Sequence, residues 1–248
     1  MKKKWFESWF DTDYYHLLYK HRDDLEAKFF IEKIMQRHHI SKYAKVLDLA
    51  CGKGRHAVVL AQHTGNVLGV DLSENSIRSA QELYKDIQNV DFAVHDMRHV
   101  IAVNYFDAVF NLFTSFGYFD RHSDNQKVIN AVATTLKPEG IFVLDYINIQ
   151  YAQDNLIPYD EKIINGKLFI QKRYIENGFI KKEITVEDED VVHTYEESVQ
   201  LLSQDYFRQA ASRSGLEIVS EYGDYSLERF DNHSSKRYIL IAKKKHAG

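Results

Sequence analysis

The residues best placed to do chemistry stand in one run, Asp48-Leu49-Ala50-Cys51-Gly52-Lys53-Gly54-Arg55-His56-Ala57. Val46 to Leu49 read as a short buried strand and Ala57 to Ala61 as a helix, with a glycine turn between them. Gly52 and Gly54 allow a tight turn and let the backbone approach a ligand that a Cβ would repel. The helix behind the turn aims free N–H groups at the same place, which suits a ligand's oxygens. Formally, Gly52-Lys-Gly54-Arg-His-Ala57 satisfies the dinucleotide pattern G-x-G-x-x-G/A. Asp48 argues against a dinucleotide: a carboxylate at the strand end repels a pyrophosphate and attracts a cation.

Further candidates follow in strand order. Val67 to Val70 form a second strand ending at Asp71, about 17 residues beyond Gly54, where a nucleotide-binding βαβ unit carries its ribose acid. Ser73 supplies the N-cap of the next helix, which leaves Asp71 for the ribose. Ile77, Ala80, Tyr84 and Ile87 mark that helix's buried face. Asn89 to Val94 alternate like a strand and end in Asp96-Met97-Arg98. Ala108 to Leu112 read as a central strand, so Asn111 to Tyr118 emerge at its carboxyl end, where open α/β sheets bind ligands. His95 and His99 are four apart but lack the intervening glutamate of H-E-x-x-H, and no metal site is expected.

Asp48 to His56 resembles the first motif, D/E-x-A/G-x-G-x-G, of class I S-adenosylmethionine (SAM)-dependent methyltransferases. SAM carries a sulfonium and an ammonium group, which suit Asp48. Phe106 to Tyr118, F-D-x-V-x-x-x-F-x-S-x-G-Y, resembles the fourth motif of small-molecule members, sugar amine N-methyltransferases included. It lacks the D/N-P-P-Y element of many nucleic-acid amino-methyltransferases. Lys137-Pro-Glu-Gly140, a turn before the strand Ile141 to Leu144, is another feature of these enzymes. The resemblance rests on motifs over residues 43–150 and on pattern alone over 200–245.

The resemblance implies SAM as cofactor and a small-molecule methyl acceptor. It places Asp48, Ala50, Gly52 and Gly54 at the amino acid end of SAM, Asp71 at the ribose, and Asp96 and Met97 at the adenine. Phe113 would shape the methyl end, while Arg55, Leu72 and Tyr14 complete the expected cofactor contacts. His16, Asp145, Tyr146 and His233 are candidate bases, needed only where the acceptor must lose a proton. Asp145, Tyr146 and Asn148 are expected to face one crevice. Two rivals are an NAD-dependent oxidoreductase on the same glycine fingerprint and a non-catalytic SAM-binding protein.

The elements that must position these residues suggest an α/β fold: a Rossmann-like doubly wound sheet with an antiparallel β insertion and a helical N-terminal arm. The arm occupies residues 1–40, dense in aromatics from Trp5 to Tyr19, and either packs on the main domain or closes over SAM. A helix over 22–40 follows the aromatic run. The main domain takes 41–150 and 200–248. Residues 151–199 read as successive strands with hairpin turns at Asn165-Gly166 and Asn177-Gly178. That insertion could cover the substrate or support a homodimer. A helix from Ser203 to Gly215 and two closing strands complete the domain, with the loop Gly223 to His233 between those strands and a basic tail, Lys243 to His246, at the end.

With 44% hydrophobic and 27% charged residues, the 248-residue chain has the composition of a soluble globular protein. A net charge of −4 provides no global basic field for nucleic acid. Cys51 is the one cysteine, has no identifiable activating partner, and fits a reducing compartment. Glu7 and Asp11 interrupt any signal-peptide core, and no run reaches the length of a membrane span. A cytoplasmic location is expected.

Overall fold

The protein is described by a computed structural model covering residues 4–19 and 24–245. Residues 1–3 and 20–23 of the expected arm, and His246 of the expected basic tail, lie outside the described residues.

Helices α1 (Trp5–Trp9), α2 (Asp13–Leu18) and α3 (Asp24–Arg37) come first. Next are β1 (Lys45–Leu49), α4 (Arg55–His63), β2 (Asn66–Asp71), α5 (Glu74–Leu83), β3 (Val90–Val94) and β4 (Phe106–Asn111). Then come α6 (His122–Thr135), β5 (Leu136–Ile147) and α7 (Ile149–Asp154). Strands β6 (Tyr159–Ile164), β7 (Lys167–Glu176), β8 (Phe179–Asp188) and β9 (Val191–Gln200) follow in succession. The chain closes with α8 (Gln204–Arg213), β10 (Leu216–Tyr222) and β11 (Arg237–Lys244).

The main sheet has the order β10-β11-β5-β4-β1-β2-β3. Strands β1 to β5 are parallel; β11 runs antiparallel to β5, and β10, antiparallel to β11, restores the common direction at the edge. The order reverses between β1 and β4, so the crevice outside their carboxyl ends is the expected ligand site. Successive strand residues point to opposite faces. Val46, Ala108, Val143 and Ile239 pack with α3, α4 and α5, while Leu47, Val109, Leu144 and Leu240 pack with α6 and α8. These two cores make the fold doubly wound.

Local chemistry sets the boundaries. Ser73 caps α5, its hydroxyl accepting from the Ser76 N–H. The helix ends at Leu83, so Tyr84 and Ile87 reach the same core from the turn that follows. The expected turn at Lys137–Gly140 is a loop bulging out of β5: Phe106 pairs with Leu136 and Ala108 with Ile141.

Strands β6 to β9 form a separate four-stranded antiparallel meander. Positive φ at both residues of Asn165-Gly166 and of Asn177-Gly178 gives these tight hairpins the twist of their strands. The arm divides: α3 joins the core of the main sheet, while Trp9 of α1 and Leu18 of α2 are buried with Phe169, Ile184 and Val186 of the meander. Polar bonds pin the contact. Trp9 Nε1 and the Tyr19 hydroxyl each donate to Glu197 at 2.7 Å, and the Tyr14 hydroxyl donates to Asp188 at 2.7 Å.

Candidate functional site: a glycine turn between two cavities

Gly54 lies at φ +86°, and a Cβ there would stand 2.6 Å from the Phe92 ring. Gly52, at φ +56°, would meet no atom within 4 Å because it borders a cavity. Its N–H donates to Asp71 Oδ2 at 2.9 Å, and the Ser73 N–H donates to Oδ1 at 2.9 Å. Burial still pushes the Asp71 carboxyl above its ordinary range, against these backbone donors.

Asp48 lies beneath the turn, 1% exposed. Its Oδ2 has no hydrogen-bond partner among the described residues. Burial, and then the charge of Asp71, push the Asp48 carboxyl up to about 7. A buried acid with an orphaned oxygen beside a glycine turn fits a cationic ligand and opposes a pyrophosphate.

The first cavity, of about 500 Å³, sits over this turn. It brings together Ala50, Gly52, Asp71, Leu72, Asp96 and Met97 from the sheet's carboxyl edge. Tyr118 and Phe119 add an aromatic wall, and the arm contributes Phe6, Phe10, Asp11, Tyr15 and His16. Asp11 ties the arm to α5, accepting from the Ser73 hydroxyl at 2.6 Å and from Asn75 Nδ2.

The second cavity, of about 670 Å³, lies between the sheet edge, the arm and the meander. Phe113 and Thr114 line it, as do Asp160, Lys162, Arg173, Glu197 and Arg237. Phe10, Tyr15 and Tyr118 line both cavities, so the two meet across that aromatic seam.

Residues 40–203 match a family described as a methyltransferase domain. The chain belongs to that methyltransferase family. SAM is the family's cofactor, and the cationic preference of the Asp48 turn agrees with it. A glycine/sarcosine N-methyltransferase of Aphanothece halophytica is 27% identical over 228 residues, covering 90% of this chain and 83% of that protein. A dTDP-3-amino-3,6-dideoxy-alpha-D-glucopyranose N,N-dimethyltransferase of Streptomyces fradiae is 32% identical over 111 residues, 44% of this chain and 42% of that one. Among solved structures, a SAM-dependent methyltransferase from Clostridium acetobutylicum superposes with a TM-score of 0.81 at 19% identity, covering 94% of this chain and 96% of that chain. SAM-bound CalS10, an amino pentose methyltransferase from Micromonospora echinaspora, gives 0.70 at 18% identity over 94% and 98%. These superpositions establish the shared fold.

Within the methyltransferase, several expected site residues lie elsewhere. Tyr14 turns away from the first cavity to Asp188 on the meander, and its neighbours Tyr15 and His16 take the cavity side. Arg55 directs its guanidinium to the Phe113 ring, 4.9 Å away, and to His56. Asp96 borders the first cavity, yet both its oxygens accept from Arg98 at 3.0 Å. Burial opposes ionisation there, but the Arg98 donors outweigh it and hold the Asp96 carboxyl low.

The candidate bases also separate. Asp145 and Tyr146 are adjacent on β5 and therefore point to opposite faces. Asp145, 0% exposed, accepts from the Phe113 N–H at 2.8 Å, Tyr225 at 3.0 Å and Arg237 Nε at 2.7 Å. Its oxygens are committed, which makes it a clamp for the Phe113 turn instead of a base. Tyr146 is buried against Phe207, donates to the Gln200 carbonyl, and is held neutral by burial. Asn148 caps α7 and holds the carbonyls of Asn232 and Ser235, so it too leaves the crevice. His233 is exposed on the loop before β11 and lines neither cavity. His16 does line the first cavity, but burial and then Lys53 push its pKa down to about 4, leaving a weak base.

Sequence reasoning passed over Asp11, Thr114, Arg173, Glu197 and Arg237. Thr114 occupies an unspecified position of the Phe106 to Tyr118 motif and the other four stand in none; each acquires its place through contacts with other segments. The apolar spacing of β11 marked a strand without marking which side chain would reach the cavity.

Proposed function

We propose that the protein transfers a methyl group from SAM to a small-molecule acceptor, with SAM in the first cavity and the acceptor in the second. The meeting of the cavities at Phe10, Tyr15 and Tyr118 carries this reading, since methyl donor and acceptor must approach without passing through solvent. Asp48 and the turn at Ala50 and Gly52 would hold the amino acid end, Asp71 the ribose, and Leu72, Asp96 and Met97 the adenine end. Bound there, SAM supplies an electrophilic methyl carbon on a sulfonium leaving group.

The chain's own contribution is alignment and exclusion of water. Phe113, fixed by Asp145, and Tyr118 shape the junction, while the arm and meander roof it. Orientation of bound reactants alone is worth about 7–11 kcal/mol in favourable cases. The amine acceptors named for two relatives, glycine/sarcosine and an amino sugar, support a small amine, which in its neutral form needs no base to attack. A cytoplasmic setting fits a chain whose one cysteine, Cys51, is free and buried.

Calorimetric titration with SAM, S-adenosylhomocysteine and NADH, repeated on Asp71→Ala, tests the cofactor site. Binding of both adenosyl ligands, weakened in the variant, supports it. Binding of NADH alone overturns it. Release of S-adenosylhomocysteine with an amine panel then separates an enzyme from a non-catalytic SAM-binding protein.

A further inference from the structure

Resting on the assignment of the second cavity to the acceptor, we propose that the acceptor carries an oxyanion that docks on Arg237. A guanidinium has five N–H donors in a rigid fork. Arg237 Nε donates to Asp145 Oδ1 at 2.7 Å, and Nη2 lies 2.6 Å from the same oxygen. Nη2 also donates to Thr114 Oγ1 at 2.8 Å. Nη1 makes no hydrogen bond among the described residues. Asp145 is fully buried and already holds Phe113 and Tyr225, so it cannot swing round to Nη1. The Arg237 side chain, 19% exposed, lines the second cavity. The guanidinium is thus gripped along its Nε–Nη2 edge and offers the Nη1 edge to the cavity.

A donor group fixed in advance loses little entropy when it captures a ligand, and arginine–oxyanion bonds are among the stronger hydrogen bonds. Among the charged residues lining the cavity, Lys162, Arg173 and Arg237 face Asp160 and Glu197, while Asp145 and the charge of Glu26 act on Arg237 from outside that lining. Trp5, Phe113, Ile147, Ile180 and Val199 supply apolar wall, which fits an apolar body attached to the anion. Phe113 and Thr114 both sit at positive φ, 56° and 64°, conformations that side chains other than glycine rarely adopt. The Asp145–Arg237 pair holds this turn, so the oxyanion site and the junction with the first cavity are built as one unit.

The chemistry is shared by a carboxylate and a phosphate, and the probes separate them. Both tryptophans report on the site: Trp5 lines the second cavity and Trp9 is bonded to Glu197. Tryptophan fluorescence of the protein saturated with S-adenosylhomocysteine is followed against acetate, inorganic phosphate and acetamide. A saturable response to acetate or phosphate, with none to the neutral isostere acetamide, is expected. Whichever anion has the lower midpoint identifies the group. Arg237→Lys keeps the charge beside Asp145 but loses the fork, and should raise the midpoint at least tenfold. Thr114→Val leaves the ion pair intact and should raise it a few-fold, so the test survives misfolding of the lysine variant. With an anionic amine as acceptor, Arg237→Lys should raise KM at least tenfold, while KM for a neutral amine of similar size should move little.

Equal responses to acetate, phosphate and acetamide, no saturable response to any of them, or indifference to Arg237→Lys overturns the oxyanion site. S-adenosylhomocysteine binding that persists in those cases leaves the methyltransferase reading standing. Its absence from the unsubstituted protein removes the underlying reading as well.

Discussion

Asp145 and Arg237 lie diagonally on the paired strands β5 and β11, Asp145 opposite Ile239, and form a buried ion pair 2.6 Å apart. Through it the antiparallel edge of the sheet grips the Phe113–Thr114 turn, more than 30 residues earlier in the chain than Asp145 itself. A terminal strand therefore sets the shape of the junction where methyl transfer would occur.

Removing one member of a buried pair leaves the other charged and desolvated, at a cost of about 3–5 kcal/mol. Asp145→Ala should lose roughly that much stability in urea unfolding, with Asp145→Asn losing less. S-adenosylhomocysteine affinity should change little in the folded asparagine variant, while kcat falls as the turn loosens. A base at this position would give a different result: full loss of turnover in Asp145→Asn with stability untouched.

Asp71 combines ligand contact with loop support, since its oxygens already accept from Gly52 and Ser73. Hydrogen bonds to a charged group contribute about 1.5–3 kcal/mol each. Asp71→Ala should weaken SAM binding by at least about tenfold, measured by calorimetry. A variant within twofold of the unsubstituted protein would remove Asp71 from the cofactor site.

The glycine turn beside the first cavity was legible because it is local. One strand, one glycine turn and one acid at the end of the next strand place Asp48, Gly52 and Asp71 wherever the βαβ unit folds. The lining of the second cavity was not. Asp145 and Tyr146 looked like neighbours in one crevice, although strand alternation sends them to opposite faces, a separation the sequence did contain. Arg237 reaches Asp145 across 92 residues, and Glu197 reaches Trp9 across 188, through registers that no local spacing encodes. Tyr14 and Tyr15 differ in role because a six-residue helix turns one to the meander and the other to the cavities. Aromatics crowd that segment too densely for a period to show which is which.

Asp11 is the arm's tether across the first cavity, bonded to Ser73 and Asn75 at the start of α5. Exposed or half-buried bonds of this kind contribute about 0.5–1.5 kcal/mol each. Asp11→Ala should leave global stability nearly unchanged and speed dissociation of S-adenosylhomocysteine several-fold in stopped-flow measurements. Faster trypsin cleavage within the arm should accompany it. An unchanged dissociation rate would mean that the arm does not retain the ligand.

Asp48 should make cofactor binding and stability respond to pH in opposite senses. Burial and Asp71 raise its folded-state pKa to about 7, above its ordinary 3.8. A carboxyl raised on folding binds its proton more tightly in the native state, so its stabilising contribution is present at low pH and is lost as pH rises through about 7. The ligand-free protein should therefore lose stability between about pH 4 and 7 on account of this group, and Asp48→Asn should flatten that dependence. A cationic ligand needs the ionised form. SAM affinity should fall as pH drops below about 7, approaching tenfold per unit for one linked proton. Calorimetry in buffers of different ionisation enthalpy should record proton release near pH 7 in the unsubstituted protein and none in Asp48→Asn. Proton release that survives in Asp48→Asn would assign the titration to another group and leave Asp48 a structural acid.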